Sequence, residues 1–158
     1  MELLPVSIGL GLAVSLLFSE LFGLAAGGMV VPGYVALHLS KPLDVLLTVG
    51  AGMATYAIVH ALSLTTIIYG KRRTVIMILV GYVIGMSIGT LSLAPWLSSS
   101  GLASTSPVEL SVIGYIIPGL IGIWIDRQGL VETISVLLSA SIVVRLLLIL
   151  VYGTELQA

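Results

Sequence analysis

The chain contains no cysteine, which excludes disulfides, thiol catalysis and thiolate metal sites. Charge is almost as scarce: only 8% of the 158 residues are Asp, Glu, Lys or Arg, where an ordinary soluble domain carries about a quarter. Too few polar side chains remain to cover a soluble surface, so most side chains must face lipid or other helices. The net charge of −1 conceals no acidic or basic tail, which argues against nucleic acid as a partner. Catalytic constellations are missing as well. No Gly-rich phosphate loop ending in Lys-Ser/Thr occurs, Gly9-Leu10-Gly11 lacks the third glycine of a dinucleotide fingerprint, and there is no Gly-x-Ser-x-Gly elbow. His38 and His60 lack ligand spacing with acids, so no metal site is expected. No catalytic residue and no cofactor, ATP included, is assigned to this chain.

What is present is apolar length. Hydrophobic residues reach 58%, and a helix needs about 20 of them in a row to cross the hydrocarbon core of a bilayer. Leu43 to Tyr69, Thr74 to Leu97 and Gly129 to Tyr152 meet that requirement. Leu3 to Leu39 is long enough for nearly two spans but is divided by Glu20 and the Gly-rich run Gly23 to Gly28. Leu110 to Ile125 is short and carries Pro118-Gly119. The start, Met1-Glu2-Leu3-Leu4-Pro5, lacks the basic region of a secretory signal, so the first apolar run reads as a retained span. The one evident loop is Ser98 to Val108, rich in Ser, Thr, Gly and Pro. The fold class is an all-α polytopic transmembrane helical protein, one transmembrane domain over residues 1–158.

The two interrupted stretches resemble each other. Gly28 to Lys41 aligns without a gap on Gly114 to Arg127, at a constant offset of 86. Gly, Pro and Gly coincide, β-branched pairs precede Pro32 and Pro118, and each stretch ends in a base. This reads as a duplication, repeat 1 about 3–69 and repeat 2 about 74–152, each being span, Pro-Gly broken helix and span. An odd number of crossings per half makes the second copy inverted relative to the first. With six crossings, Lys71-Arg72-Arg73 and Arg127 fall on one side and Lys41 on the other. The positive-inside rule places the triple base in the cytoplasm; four spans with re-entrant breaks remain the alternative.

Each candidate residue has a plain reading beside a functional one. Gly81, Gly85 and Gly89 form a tandem GxxxG that clears one helix face for close packing, within the subunit or between copies in a homo-oligomer. Pro32-Gly33 and Pro118-Gly119 free backbone groups that lipid cannot satisfy; they serve as packing kinks or face a wet, anion-binding path. Lys41 and Arg127, trailing them, would supply positive charge to that path. Glu20 is an acid in an apolar region, functional or interfacial. Arg145 lies seven residues from the end of its span and is expected to snorkel outward. His60, four residues after Tyr56, is expected to be a hydrogen-bonded core histidine.

Gly28-Met-Val-Val-Pro-Gly-Tyr34, Tyr69-Gly-Lys-Arg-Arg73, and Gly114-Tyr-Ile-Ile-Pro-Gly-Leu120 followed by Gln128-Gly-Leu130 resemble the small membrane subunit of bacterial poly-γ-glutamate synthases, the CapC/PgsC family. Glu20 also matches a family acid ahead of the first motif, whereas the Ser-rich stretch 98–106 departs from the pattern. The resemblance implies a multi-pass subunit of the bacterial plasma membrane that is not itself catalytic. ATP and Mg would be bound by a separate cytoplasmic amide ligase similar to Mur ligases, and a further subunit with an extracellular domain would assist export. The membrane chain would anchor the ligase and accept or pass the growing poly-γ-glutamate. On that reading Glu20, Pro32, Gly33, Lys41, Pro118, Gly119 and Arg127 flank the polymer, while Lys71, Arg72 and Arg73 dock the ligase. Two other classes stay open from the residues alone: a small stand-alone secondary transporter or channel, and a passive scaffold.

Overall fold

A computed structural model describes residues 3–90 and 114–153. The end of the third expected span (91–97), the Ser-rich loop and residues 110–113 lie outside the described residues, as do the surroundings of Gly89. Within them the chain is helical: α1 (Leu3–Phe22), α2 (Val31–His38), α3 (Pro42–Thr65), α4 (Lys71–Thr90), α5 (Ile117–Gln128) and α6 (Leu130–Tyr152). Among the described residues, three helices are long and apolar enough to cross a membrane, at Leu4–Phe22, Pro42–Thr65 and Leu130–Tyr152. Helix α4, 20 residues long, opens on Lys71-Arg72-Arg73 and carries no other charge.

Proline sets where the short helices begin. Pro32 and Pro118 lie in the first turns of α2 and α5, where a missing amide hydrogen leaves no hydrogen bond unmade. The residues ahead of them, Val30 and Ile116, adopt nearly the same backbone angles, φ −93°, ψ −28° and φ −86°, ψ −27°. The interruption in the first half lies ahead of Pro32, in Gly23 to Val30, where Gly23, Gly27 and Gly28 take positive φ. Gly129 (φ +101°) caps α5 by donating to Ile125 O at 3.0 Å and starts α6 directly.

Two contacts define one end of the bundle. In the first turn of α4, Arg73 reaches Asp126 near the end of α5, at 2.5 Å. Gln128 bonds to Ala25, three residues past α1. Helices α1, α3 and α5 finish at this basic end; α4 and α6 leave from it. Helix α2 runs away from it: Val31 shares a core cluster with Leu137, and Ala36 O accepts from Arg145 Nη1 at 3.2 Å, further along α6. Helix α5 runs the other way, from Gly119 against Gly81, halfway along α4, to Asp126 beside Arg73. The two short helices therefore diverge from the middle. Residues 23–38 pass from the basic end to the far end, first non-helical and bent, then helical. Such non-helical backbone is tolerated at membrane depth only when covered by protein, and Ala26, Gly27 and Gly28 are buried.

Packing partners correspond between the halves. Helix α2 lies on α1 as α5 lies on α4, and α3 lies on α4 as α6 lies on α1. Each short helix also lies on the long helix of the other half, α2 on α6 and α5 on α3. Val31 and Val35 match Ile117 and Ile121 at the 86-residue offset, and all four share one buried cluster. Thr55 Oγ1 donates to Ala51 O at 2.7 Å; at the same offset Ser141 Oγ donates to Leu137 O at 2.6 Å. The backbones meet at glycines. A Cβ on Gly11 would lie 2.7 Å from Gly33 Cα, and one on Gly81 would lie 2.5 Å from Gly119 Cα.

The GxxxG face is thus turned inward at Gly81 and Gly85, which pack on Gly119 and Tyr115. Two expectations change. His60 is not in the core: its ring is exposed and stacks on Tyr56 with centroids 5.6 Å apart, because α3 buries the stripe Thr48, Ala51, Gly52, Thr55 and Val59 instead. Arg145 does not snorkel outward. It turns to the C-terminal end of α2, where the last carbonyls of a helix lack intrahelical donors and a cation complements the dipole.

Candidate functional site

Polar groups that could act on a charged chain gather at the basic end. Lys71 and Arg72 open α4 and are exposed. Arg73 differs from them: its guanidinium is paired with Asp126, and the two side chains are only 22% and 24% exposed. Arg127 is exposed at the end of α5, with its guanidinium 5.6 Å from the centre of the Trp124 ring. That stacking holds the charge at the rim while leaving its donors free to point outward. Glu20 is exposed in the last turn of α1 and Glu132 is exposed in the first turn of α6.

Lys41 occupies the far end, exposed between α2 and α3. It and Arg127 are therefore at opposite ends of the bundle rather than in one cluster. Between them lie Val31, Val35, Ile117, Ile121, Ile125 and Leu137, all buried and apolar. Pro32, Gly33, Pro118 and Gly119 are buried at helix contacts. A cavity of about 300 Å³ opens beside the starts of α2 and α5, lined by Val30, Val31, Tyr34, Tyr115, Ile117 and Leu120 among others. It is mostly apolar and carries no charged side chain, so in this state it offers a polyanion nothing to bind.

Gln128 was in a motif but was not singled out as a site residue, and it makes the most specific polar contact at the basic end. Its Oε1 accepts from Ala25 N–H at 3.0 Å and its Nε2 donates to Ala25 O. Thr133 Oγ1, which donates to Gly129 O at 2.7 Å, lies 3.4 Å from Gln128 Nε2. Asp126 was missed too. Its signal was an acid next to Arg127 in a chain with very few acids, but the partner 53 residues away was not legible. Among the described residues, no group of three His, Asp or Glu side chains is placed to hold a metal ion.

The family profile described as "Capsule biosynthesis CapC" matches residues 10–134. The chain is 35% identical over 132 residues to the "PGA biosynthesis protein CapC" of Bacillus subtilis (strain 168), covering 82% of this chain and 83% of that protein. It is 33% identical over 142 residues to the "Capsule biosynthesis protein CapC" of Bacillus anthracis, covering 87% and 89%. No solved structure matches it significantly.

Proposed function

The chain belongs to the CapC capsule-biosynthesis family, and from that premise we propose that it is the integral membrane subunit of a poly-γ-glutamate synthase. It anchors a cytoplasmic ATP-dependent amide ligase and passes the growing chain to the outside, with an extracellular-domain subunit assisting export. ATP and Mg belong to the ligase. One observation carries the reading: exposed Lys71, Arg72 and Arg127 share one end of a bundle whose buried side chains are mostly apolar. Together with the paired Arg73 they put four of the six bases at that end, which supports reading it as the cytoplasmic face of a bacterial plasma membrane.

The chemistry fits the division of labour. The product bears a free carboxylate on each unit, and moving such charges into a low-dielectric slab is prohibitive without compensation. Arg127 meets the chain at the cytoplasmic rim, and Lys41 meets it at the far rim. Lys71 and Arg72 dock the ligase or draw in its acidic product.

The test is a pull-down from membranes through a tag on this chain, followed by an assay for ATP-dependent glutamate polymerisation. An ATP-dependent ligase with polymer-forming activity should co-purify; recovery of the chain alone, with substrate flux in vesicles containing only it, would favour a stand-alone carrier. Replacing Lys41 or Arg127 with Gln should lower secreted polymer about fivefold, as expected for one lost contact of about 1 kcal/mol, while the complex stays assembled. Unchanged yield and chain length would remove both residues from the path.

A further inference from the structure

The stretch between α1 and α2 is unlike the rest of the chain. Leu24, Ala25 and Ala26 are flanked by glycines of positive φ, Gly23 (+66°) on one side and Gly27 (+70°) and Gly28 (+115°) on the other. It fills the basic-end half of the first-half crossing, with Gly27 against Leu137 and Ile121 and Gly28 against Trp124. Its backbone bonds are local, Gly23 N–H to Ser19 O and Gly27 N–H to Ala25 O, each at 2.9 Å. Among the described residues, the hydrogen bonds tying it to another element are those between Ala25 and Gln128.

We propose that Leu24–Ala26 is a gate at the cytoplasmic end, hinged at Gly23 and at Gly27-Gly28 and latched by Gln128, and that an arriving amide-bearing polyanion opens it by taking Gln128 from Ala25. The inference rests on the polymer-passing reading and adds the residue that senses the chain. The physical case is an exchange of like for like. A primary amide that accepts from one N–H and donates to one C=O in Ala25 finds the same donors and acceptors in a polyamide backbone, so Gln128 keeps both bonds when it lets go, and the half-exposed Ala25 N–H and C=O turn to water as the segment swings out. The hinges suit the motion because glycine moves between backbone regions closed to other residues. Position suits it as well: Gln128 directly follows Arg127, so a carboxylate drawn to the guanidinium brings the neighbouring amide to the latch. The apolar cluster behind the segment offers ions no polar group, which suits a gate that is closed at rest.

The test exploits the absence of cysteine. In cells whose synthase carries this chain with Ala25→Cys and Gln128→Cys, a short bis-methanethiosulfonate joins the two thiols and a reductant releases them. Crosslinking is expected to lower secretion about tenfold, with recovery on reduction and the ligase still co-purifying. Efficient crosslinking, measured by loss of free thiol, with unchanged secretion overturns the gate. A second measurement keeps Gln128 intact. In membranes bearing only Ala25→Cys, a soluble maleimide should label the thiol several-fold faster when short γ-glutamyl oligomers are added, and no faster with polyacrylate, a polycarboxylate without amides. Equal labelling in all three conditions overturns the proposal. A synthase with no polymer in the untreated wild type would instead sink the functional reading beneath it.

Discussion

The two halves begin their short helices alike and finish them differently. Helices α2 and α5 share the Pro in the first turn, the preceding backbone angles and the glycine-on-glycine contact with the preceding long helix. Helix α2 then stops after 8 residues, its end met by the Arg145 guanidinium. Helix α5 continues for 12 residues and ends on an ion pair, a cation–π contact and the Gln128 clasp. The shared features are all contacts inside the bundle, where close packing admits few solutions. The differing ones lie where each helix meets its own end of the molecule. The lesson is that the middle of the bundle specifies shape, and its ends specify what each half is exposed to.

The comparison can be broken most strongly at the glycines. Gly81→Val and Gly11→Val should each cost about 3 kcal/mol from overpacking, with the Gly81 variant worse because its neighbour is closer. Thermal unfolding in detergent reads this, and Gly50→Ala, inside α3 where the added methyl would meet nothing within 4 Å, should cost nothing and gain up to about 1 kcal/mol. Equal effects at all three positions would dissolve the correspondence between α1–α2 and α4–α5.

A weaker lesion separates the halves. Arg73→Ala removes the cation from a half-buried carboxylate and should cost about 2 kcal/mol, loosening α4 and α5 while sparing α1 and α2. Hydrogen exchange by segment distinguishes the two. The double reversal Arg73→Asp with Asp126→Arg should recover part of the loss; no recovery would mean that the pair acts through packing rather than charge.

The smallest effect is expected at Arg145. Exchange for Met keeps the apolar stem and removes the bond to Ala36 O, at about 1 kcal/mol. Faster exchange confined to α2 would confirm the capping role, and a uniform change across the protein would refute it.

Much of this fold could be read from the chain. The spans at α1, α3 and α6 follow from apolar length, and the offset of 86 aligned the stretches that contain Val31, Val35, Ile117 and Ile121 without saying that these residues pack together. What could not be read were contacts whose partners lie far apart in sequence. Nothing near Arg73 distinguishes it from Lys71 and Arg72, yet only Arg73 faces α5. Arg145 and His60 were misplaced for a related reason. In a helix apolar on every side, periodicity does not say which face is inside, so a polar residue's direction is set by neighbours that the local sequence does not name. The site residues were legible as a set of bases and breaks, and a six-crossing topology already put Lys41 opposite Arg127 and the triple base; the partners of Arg73 and Gln128 required the fold.

Gly129 gives the molecule a mechanical property. It is the single residue between α5 and α6, so there is no slack to absorb a pull. Force applied to Arg127 is transmitted through that joint into a rod of 23 residues, which carries Arg145 and, through it, the end of α2 beside Lys41. On the proposed function, a polymer held at Arg127 would thereby pull on the far end of the bundle as well.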